Sequence, residues 1–153
     1  MAVNNTTGVA DISQSTDVPS GEGFGHSLKI DVTTVNSPSS ANYAILRQVW
    51  ETKDLHHLNR GTSGAKQLTL SFWVKSNFTG NVDGSLFYVE LQYPSVQAGA
   101  TVENSKSFTI DAANTWEKKT ITYEANTTDT PDTNNYDSLD MYVYFLLKAG
   151  SAF

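Results

Sequence analysis

The segment Leu68-Thr69-Leu70-Ser71-Phe72-Trp73-Val74-Lys75-Ser76 constrains the fold most. Apolar residues at 68, 70, 72 and 74 alternate with Thr69, Ser71, Trp73 and Lys75. Side chains along a strand point to opposite faces in turn, so the segment predicts a strand with one face in a core and one in water. Ser107-Phe108-Thr109-Ile110 and Thr115-Trp116-Glu117-Lys118-Lys119-Thr120-Ile121-Thr122-Tyr123 answer it further on. Half-buried strands of this kind belong to antiparallel sheets, so the expectation is a two-sheet sandwich.

Seven runs qualify as strands, at 27–33, 44–51, 67–75, 86–93, 105–110, 116–123 and 139–147. They favour Val, Ile, Phe, Tyr and Trp, whereas Asn, Thr, Ser and Gly crowd the connections, the composition of short strands joined by turns. Asp54-Leu55-His56-His57-Leu58 reads as a single helical turn. Residues 1–15 read as a flexible polar arm preceding a sandwich domain at 16–153, with Val9 to Ile12 able to pair with an edge. The polar stretch between Glu124 and Ser138 is a long connection of the kind that carries binding.

A chain of 153 residues buries roughly 70% of its unfolded surface, enough for one core. It has no cysteine, so disulfides and thiolate metal sites are excluded. The net charge of −6 opposes nucleic acid as a partner, because phosphate contacts need Lys and Arg. The apolar runs are too short for a membrane span, and the first residues lack the basic and apolar regions of a signal peptide.

Several pieces together resemble a jelly-roll module of bacteriophage virion structural and tail-fibre proteins, marine ones in particular. They are Thr16-Asp17-Val18-Pro19-Ser20-Gly21 with Ser27-Leu28-Lys29-Ile30, Asp54-Leu55-His56-His57-Leu58 with Gly61-Thr62, Leu-Ser-Phe-Trp-Val-Lys-Ser at 70–76, and Phe108-Thr109-Ile110 through Trp116-Glu117-Lys118-Lys119-Thr120-Ile121. The fold so implied is an all-β jelly roll similar to carbohydrate-binding modules. The resemblance implies virion structure and host-surface contact, with no catalytic residues to carry over. Related fibre proteins have a further strand before the Thr-Asp-Val-Pro segment and another after the position of Phe153, so the last jelly-roll strand is expected to be missing here.

In jelly-roll order the first, third and sixth runs share one sheet, and the second, seventh, fourth and fifth share the other. The missing strand would leave a gap between the first and third runs, to be filled by the arm near Val9 to Ile12 or by a neighbouring subunit. Alternation then assigns Leu68, Leu70, Phe72, Val74, Phe87, Val89, Leu91, Phe108, Ile110, Ile121, Tyr123, Met141, Val143, Phe145 and Leu147 to the core. The outer face of the second sheet receives Arg47, Glu51, Tyr88, Glu90, Gln92, Tyr142, Tyr144, Ser105 and Ser107.

Sugars present apolar C–H faces and hydroxyl rims, which flat aromatics beside hydrogen-bonding groups recognise. Tyr88, Tyr142 and Tyr144 with Glu90, Gln92 and Arg47 form the candidate ligand-binding set. The same tyrosines also suit a subunit contact or an ordinary sheet surface. Trp73 is expected to face outward near Lys75 and Lys118, Trp50 inward with Leu46 and Gln48, and Trp116 to cover one end of the sandwich. His56 and His57 diverge and lack the spacing of a metal site, His26 stands in a glycine-rich loop without the dinucleotide fingerprint, and no nucleophile elbow occurs. Glu51 and Glu90 share a face, yet nothing marks them as a glycosidase pair. No cofactor is expected beyond calcium, for which Asp17, Glu22 and Asp111 offer hard oxygen ligands near loops. Asn5, Asn77 and Asn126 open Asn-x-Thr sequons that a phage origin would leave unused.

The expectation is a non-enzymatic virion structural protein, a tail fibre, spike or surface decoration, assembled in the host cytoplasm and acting outside the cell. Its partners would be host-surface glycan or other virion subunits, without nucleic acid or membrane insertion, and the chain would be a homo-oligomer. The alternatives are a carbohydrate-binding module of a glycan-degrading enzyme and a capsid decoration or cement protein.

Overall fold

The structure, a computed structural model, describes residues 2–5, 9–34, 43–79, 87–94, 101–130 and 139–149. Among these residues nine strands follow in order: β1 (Ala2–Asn5), β2 (Val9–Ser15), β3 (Ser27–Thr34), β4 (Tyr43–Glu51), β5 (Leu68–Val74), β6 (Phe87–Pro94), β7 (Thr101–Phe108), β8 (Glu117–Tyr123) and β9 (Leu139–Ala149). A 3-10 helix, Thr52–Leu58, follows β4. All seven expected strands are present, and the helical turn is there too.

Among the described residues every pairing is antiparallel. One sheet has five strands in the order β1-β4-β9-β6-β7, and two further pairs are β2-β3 and β5-β8. The apolar β9 lies in the middle of the five-stranded sheet, between β4 and β6. This reproduces the expected neighbours of the second, seventh, fourth and fifth runs, and of the third and sixth. Among the described residues the first run, β3, pairs with β2, the arm segment offered for the gap beside it, and no ladder joins it to the third run.

Two strands arise within the segment read as a flexible arm. β1 pairs with β4 from Ala2 opposite Arg47 to Asn5 opposite Ala44. β2 pairs with β3 from Val9 opposite Thr34 to Ser15 opposite Ser27. A strand, β2, thus precedes the Thr-Asp-Val-Pro segment.

The five-stranded sheet and the β5-β8 pair face each other across the core. Val89, Phe108, Ile110, Ile121, Tyr123 and Val143 are buried, with Trp50, Leu55, Leu68, Leu70, Phe72, Val74 and Phe145 packed against them. Each fully buried aliphatic side chain contributes about 1.5–3 kcal/mol to folding. Phe72 on β5 meets Phe108 on β7 edge-on at 5.2 Å and Phe145 on β9 at 5.0 Å. The Tyr123 hydroxyl on β8 donates to the Val89 carbonyl on β6 at 2.7 Å, so a buried donor and acceptor satisfy each other between the layers. Phe87, Leu91 and Met141 keep the expected register parity with Val89 and Val143. Leu147 falls where the β4-β9 ladder slips, between the pairs Ala44 with Lys148 and Ile45 with Leu146.

The helix hands over to β5 through a loop closed by local bonds. Asn59, at φ 49°, ends the helix with its N–H on the His56 carbonyl. Gly61, at φ +77°, donates to the Asn126 carbonyl at 2.8 Å, and a Cβ there would stand 2.6 Å from the Thr130 Cα. Glycine suits both the backbone angle and the close approach. The Asn126 carboxamide oxygen in turn accepts from the Asp129 N–H at 2.9 Å, which orders the facing loop.

Candidate sheet face and polar clusters

The candidate site rests on the register of the five-stranded sheet. Arg47 lies opposite Tyr144, Tyr144 opposite Glu90, and Glu90 opposite Ser105. One row thus crosses β4, β9, β6 and β7. The next row aligns Val49, Tyr142, Gln92 and Glu103, and the row on the other side aligns Leu146, Tyr88 and Ser107. Directly opposed residues of an antiparallel pair share a face, so Arg47, Tyr88, Glu90, Gln92, Tyr142 and Tyr144 all occupy positions on one face. It is the face opposite the one to which buried Val89 and Val143 belong. Arg47 is half-buried, while Ser105 and Ser107 are exposed.

Two positions differ from the sequence-based assignment. Glu103 joins the face because β7 begins at Thr101, four residues earlier than its apolar end suggested. Extending the period-two pattern back from Ser105 would have reached it. Glu51 lies beyond a register slip that sets it opposite Leu139, so it stands outside the regular rows.

The other titratable groups form structural clusters. Asp17, in the connection after β2, accepts from the Lys75 ammonium at 2.6 Å and from the Trp116 indole N–H at 2.9 Å. Its own N–H donates to the Ser15 hydroxyl, and its carbonyl accepts from the Ser27 hydroxyl. The Lys75 bond, then the Trp116 bond, holds the Asp17 carboxyl below the usual carboxylate range. Trp116, half-buried, stands just before β8.

At the same end of the sandwich Glu117 and Lys119 occupy inward positions of β8, in line with Ile121 and Tyr123. Glu117 meets the Lys119 ammonium at 2.6 Å and accepts from the N–H groups of Ala112 at 2.7 Å and Asp111 at 2.9 Å. The Lys119 bond first, and the backbone donors after it, lower the Glu117 pKa to about 2. Asp111 also accepts from Lys119, at 2.9 Å.

The oxygens of Asp17 and Asp111 thus serve protein donors, and Glu22 is an exposed loop residue. Among the described residues no group of three or more His, Cys, Asp or Glu gathers where a metal would bind. His26, His56 and His57 are exposed. The outer face of β5-β8 carries exposed cross-strand hydroxyls, Thr69 with Thr122 at 3.1 Å and Ser71 with Thr120 at 3.5 Å, followed by Trp73 opposite Lys118. Trp73 is half-buried there.

No family model matches the chain. No curated protein matches it in sequence. Among solved structures it is similar to the enzymatically active domain of tailspike protein 4 from bacteriophage CBA120, with TM-score 0.59 and 15% identity. The likeness covers 97% of this chain and 17% of that one. It is also similar to the C-terminal family 22 carbohydrate-binding module of Clostridium thermocellum Xyn10B, with TM-score 0.50, 16% identity, and coverage of 97% of this chain and 77% of that one. At such identities the likeness shows an all-β sandwich shared with phage tailspike and carbohydrate-binding domains.

Proposed function

We propose that this chain is a non-catalytic jelly-roll module of a bacteriophage virion protein, a tail fibre, spike or surface decoration, that binds host-surface glycan through the face bearing Arg47, Tyr88, Glu90, Gln92, Tyr142 and Tyr144. The observation that carries the reading is the four-strand row Arg47-Tyr144-Glu90-Ser105, with Tyr142 and Gln92 in the next row. The register brings aromatic, amide, carboxylate and guanidinium residue types to one side of one sheet, the chemical mixture that a sugar's apolar faces and hydroxyls require. A single shallow sheet face gives weak binding, and several copies on one particle would raise avidity without new contacts.

The fold likeness to the carbohydrate-binding module of Xyn10B supports a second reading equally well, a binding module attached to a glycan-degrading enzyme. The two readings share the face and differ in the neighbouring genes, capsid and tail genes for one and a hydrolase domain in the same reading frame for the other. A glycan array probed with multimerised protein should give sugar signals that fall about fivefold to tenfold in Tyr88→Ala and Tyr144→Ala. An array without signal, or signals untouched by both substitutions, would remove the glycan reading.

A further inference from the structure

The outward face of the five-stranded sheet changes character from one flank to the other. On β4 its positions are Ile45, Arg47 and Val49, and Leu146 of β9 lies opposite Ile45. On β6 and β7 the same rows hold Glu90 with Ser105 and Gln92 with Glu103. Tyr144 stands between the flanks, opposite Arg47 on one side and Glu90 on the other.

Hexose hydroxyls find their partners on the β6-β7 flank, in carboxylates, an amide and a hydroxyl. They leave the β4 flank unexplained. A guanidinium carries five N–H donors and no acceptor, and the positions two residues away on either side of Arg47 are aliphatic. That combination matches a carbonyl oxygen joined to a methyl group. Arg47 and Val49 are half-buried, whereas Ser105 is exposed, so a hydrogen bond on the β4 flank is made in drier surroundings, where it is stronger. A sugar carboxylate would also meet the guanidinium. It would, however, leave Ile45 and Val49 without an apolar partner and add negative charge to a face that already holds Glu90 and Glu103, on a chain of net charge −6.

We propose that the ligand of this face is an N-acetylhexosamine unit of a glycan. The inference rests on the glycan reading and narrows it. The sugar ring stacks on Tyr144, and its acetamido group turns towards β4, where Arg47 donates to the carbonyl and Ile45 and Val49 flank the methyl. The ring hydroxyls turn towards Glu90 and Gln92. Neighbouring strands lie about 4.8 Å apart, so one ring centred on β9 reaches β4 and β6 together.

Biolayer interferometry on the whole chain tests this with immobilised multivalent probes of N-acetylglucosamine, glucose, N-acetylgalactosamine and galactose. Wild type should bind the acetamido member of at least one pair at least about fivefold more tightly than its hydroxyl counterpart. Arg47→Met removes the donors and Val49→Thr replaces a methyl by a hydroxyl at nearly constant shape, and each should lower that ratio towards unity. Tyr144→Ala should weaken binding of both members. Thermal melts check that each variant is folded, and Val49→Thr carries the test should Arg47→Met fail to fold. Equal binding of both members, lost together in Tyr144→Ala, overturns the acetamido proposal and leaves the glycan reading standing. A preference untouched by both Arg47→Met and Val49→Thr overturns it as well, as does an absence of binding to all four probes, with the glycan reading then decided by the wider array. Binding indifferent to Tyr144→Ala removes the face, and this proposal with it.

Discussion

Glu117 shows how a polar group survives on an inward position. The residue lies opposite Val74 on the core-facing side of β8, where alternation alone would place an apolar side chain. It is kept there as a carboxylate by the Lys119 ammonium and the Ala112 and Asp111 N–H groups. Its pKa falls from 4.5 to about 2 in the folded protein. A depressed acid stabilises the folded state fully above its unfolded pKa, and that contribution disappears as pH drops through the folded value. Thermal stability of the wild type should therefore decline between about pH 4.5 and 2, with Asp17 adding to the same slope. Glu117→Gln should be less stable at neutral pH and show a shallower decline across that window, measured by thermal melts at stepped pH. The sequence pattern marked Ile121 and Tyr123 as inward but left Glu117 and Lys119 unread, because charge ordinarily signals a wet face. Their partners are each other and the turn that leads from Ile110 into β8, a local arrangement that alternation does not encode.

Among the elements, the strands with strong period-two patterns were legible, and the two short N-terminal strands were not. β5 and β8 carry their faces in their own residues, as do β6 and β9, and their neighbours followed from jelly-roll order. Ala2-Val3-Asn4-Asn5 has no such pattern, and its strand exists because β4 offers an edge. β2 alternates only weakly, and its apolar Ile12 remains 49% exposed, with Leu28 of β3 at 44%, so burial gave little signal to read. The β2-β3 pair is fixed to the sandwich at its closed end by Asp17, whose four backbone and side-chain bonds reach Ser15, Ser27, Lys75 and Trp116. Asp17→Ala should leave the five-stranded sheet intact and loosen this pair. Hydrogen exchange should quicken across residues 9–34 and stay near wild type in β4, β6 and β9. Equal acceleration everywhere would show that the tie supports the whole fold.

At the scale of the whole molecule, pairings join distant parts of the chain: β1 with β4, β4 with β9, β6 with β9, and β5 with β8. Loop closure on this scale must precede most of the stabilising contacts. Refolding followed by stopped-flow tryptophan fluorescence should accordingly take milliseconds to seconds, and a microsecond phase carrying the full amplitude would contradict the non-local topology. The candidate face is itself a product of that topology, because its positions come from β4, β6 and β9. Sequence alternation supplied which residues share it, but only the register could show that Arg47, Tyr144, Glu90 and Ser105 stand in one row. Lys106 bears on what such a molecule can build. On β7, the far border of the five-stranded sheet, its chain runs inward, its ammonium donates to the Thr122 carbonyl at 2.8 Å, and it lies 5.7 Å from the Tyr123 ring centre. A strand arriving at that border would have to dislodge a seated cation, so growth in that direction stops.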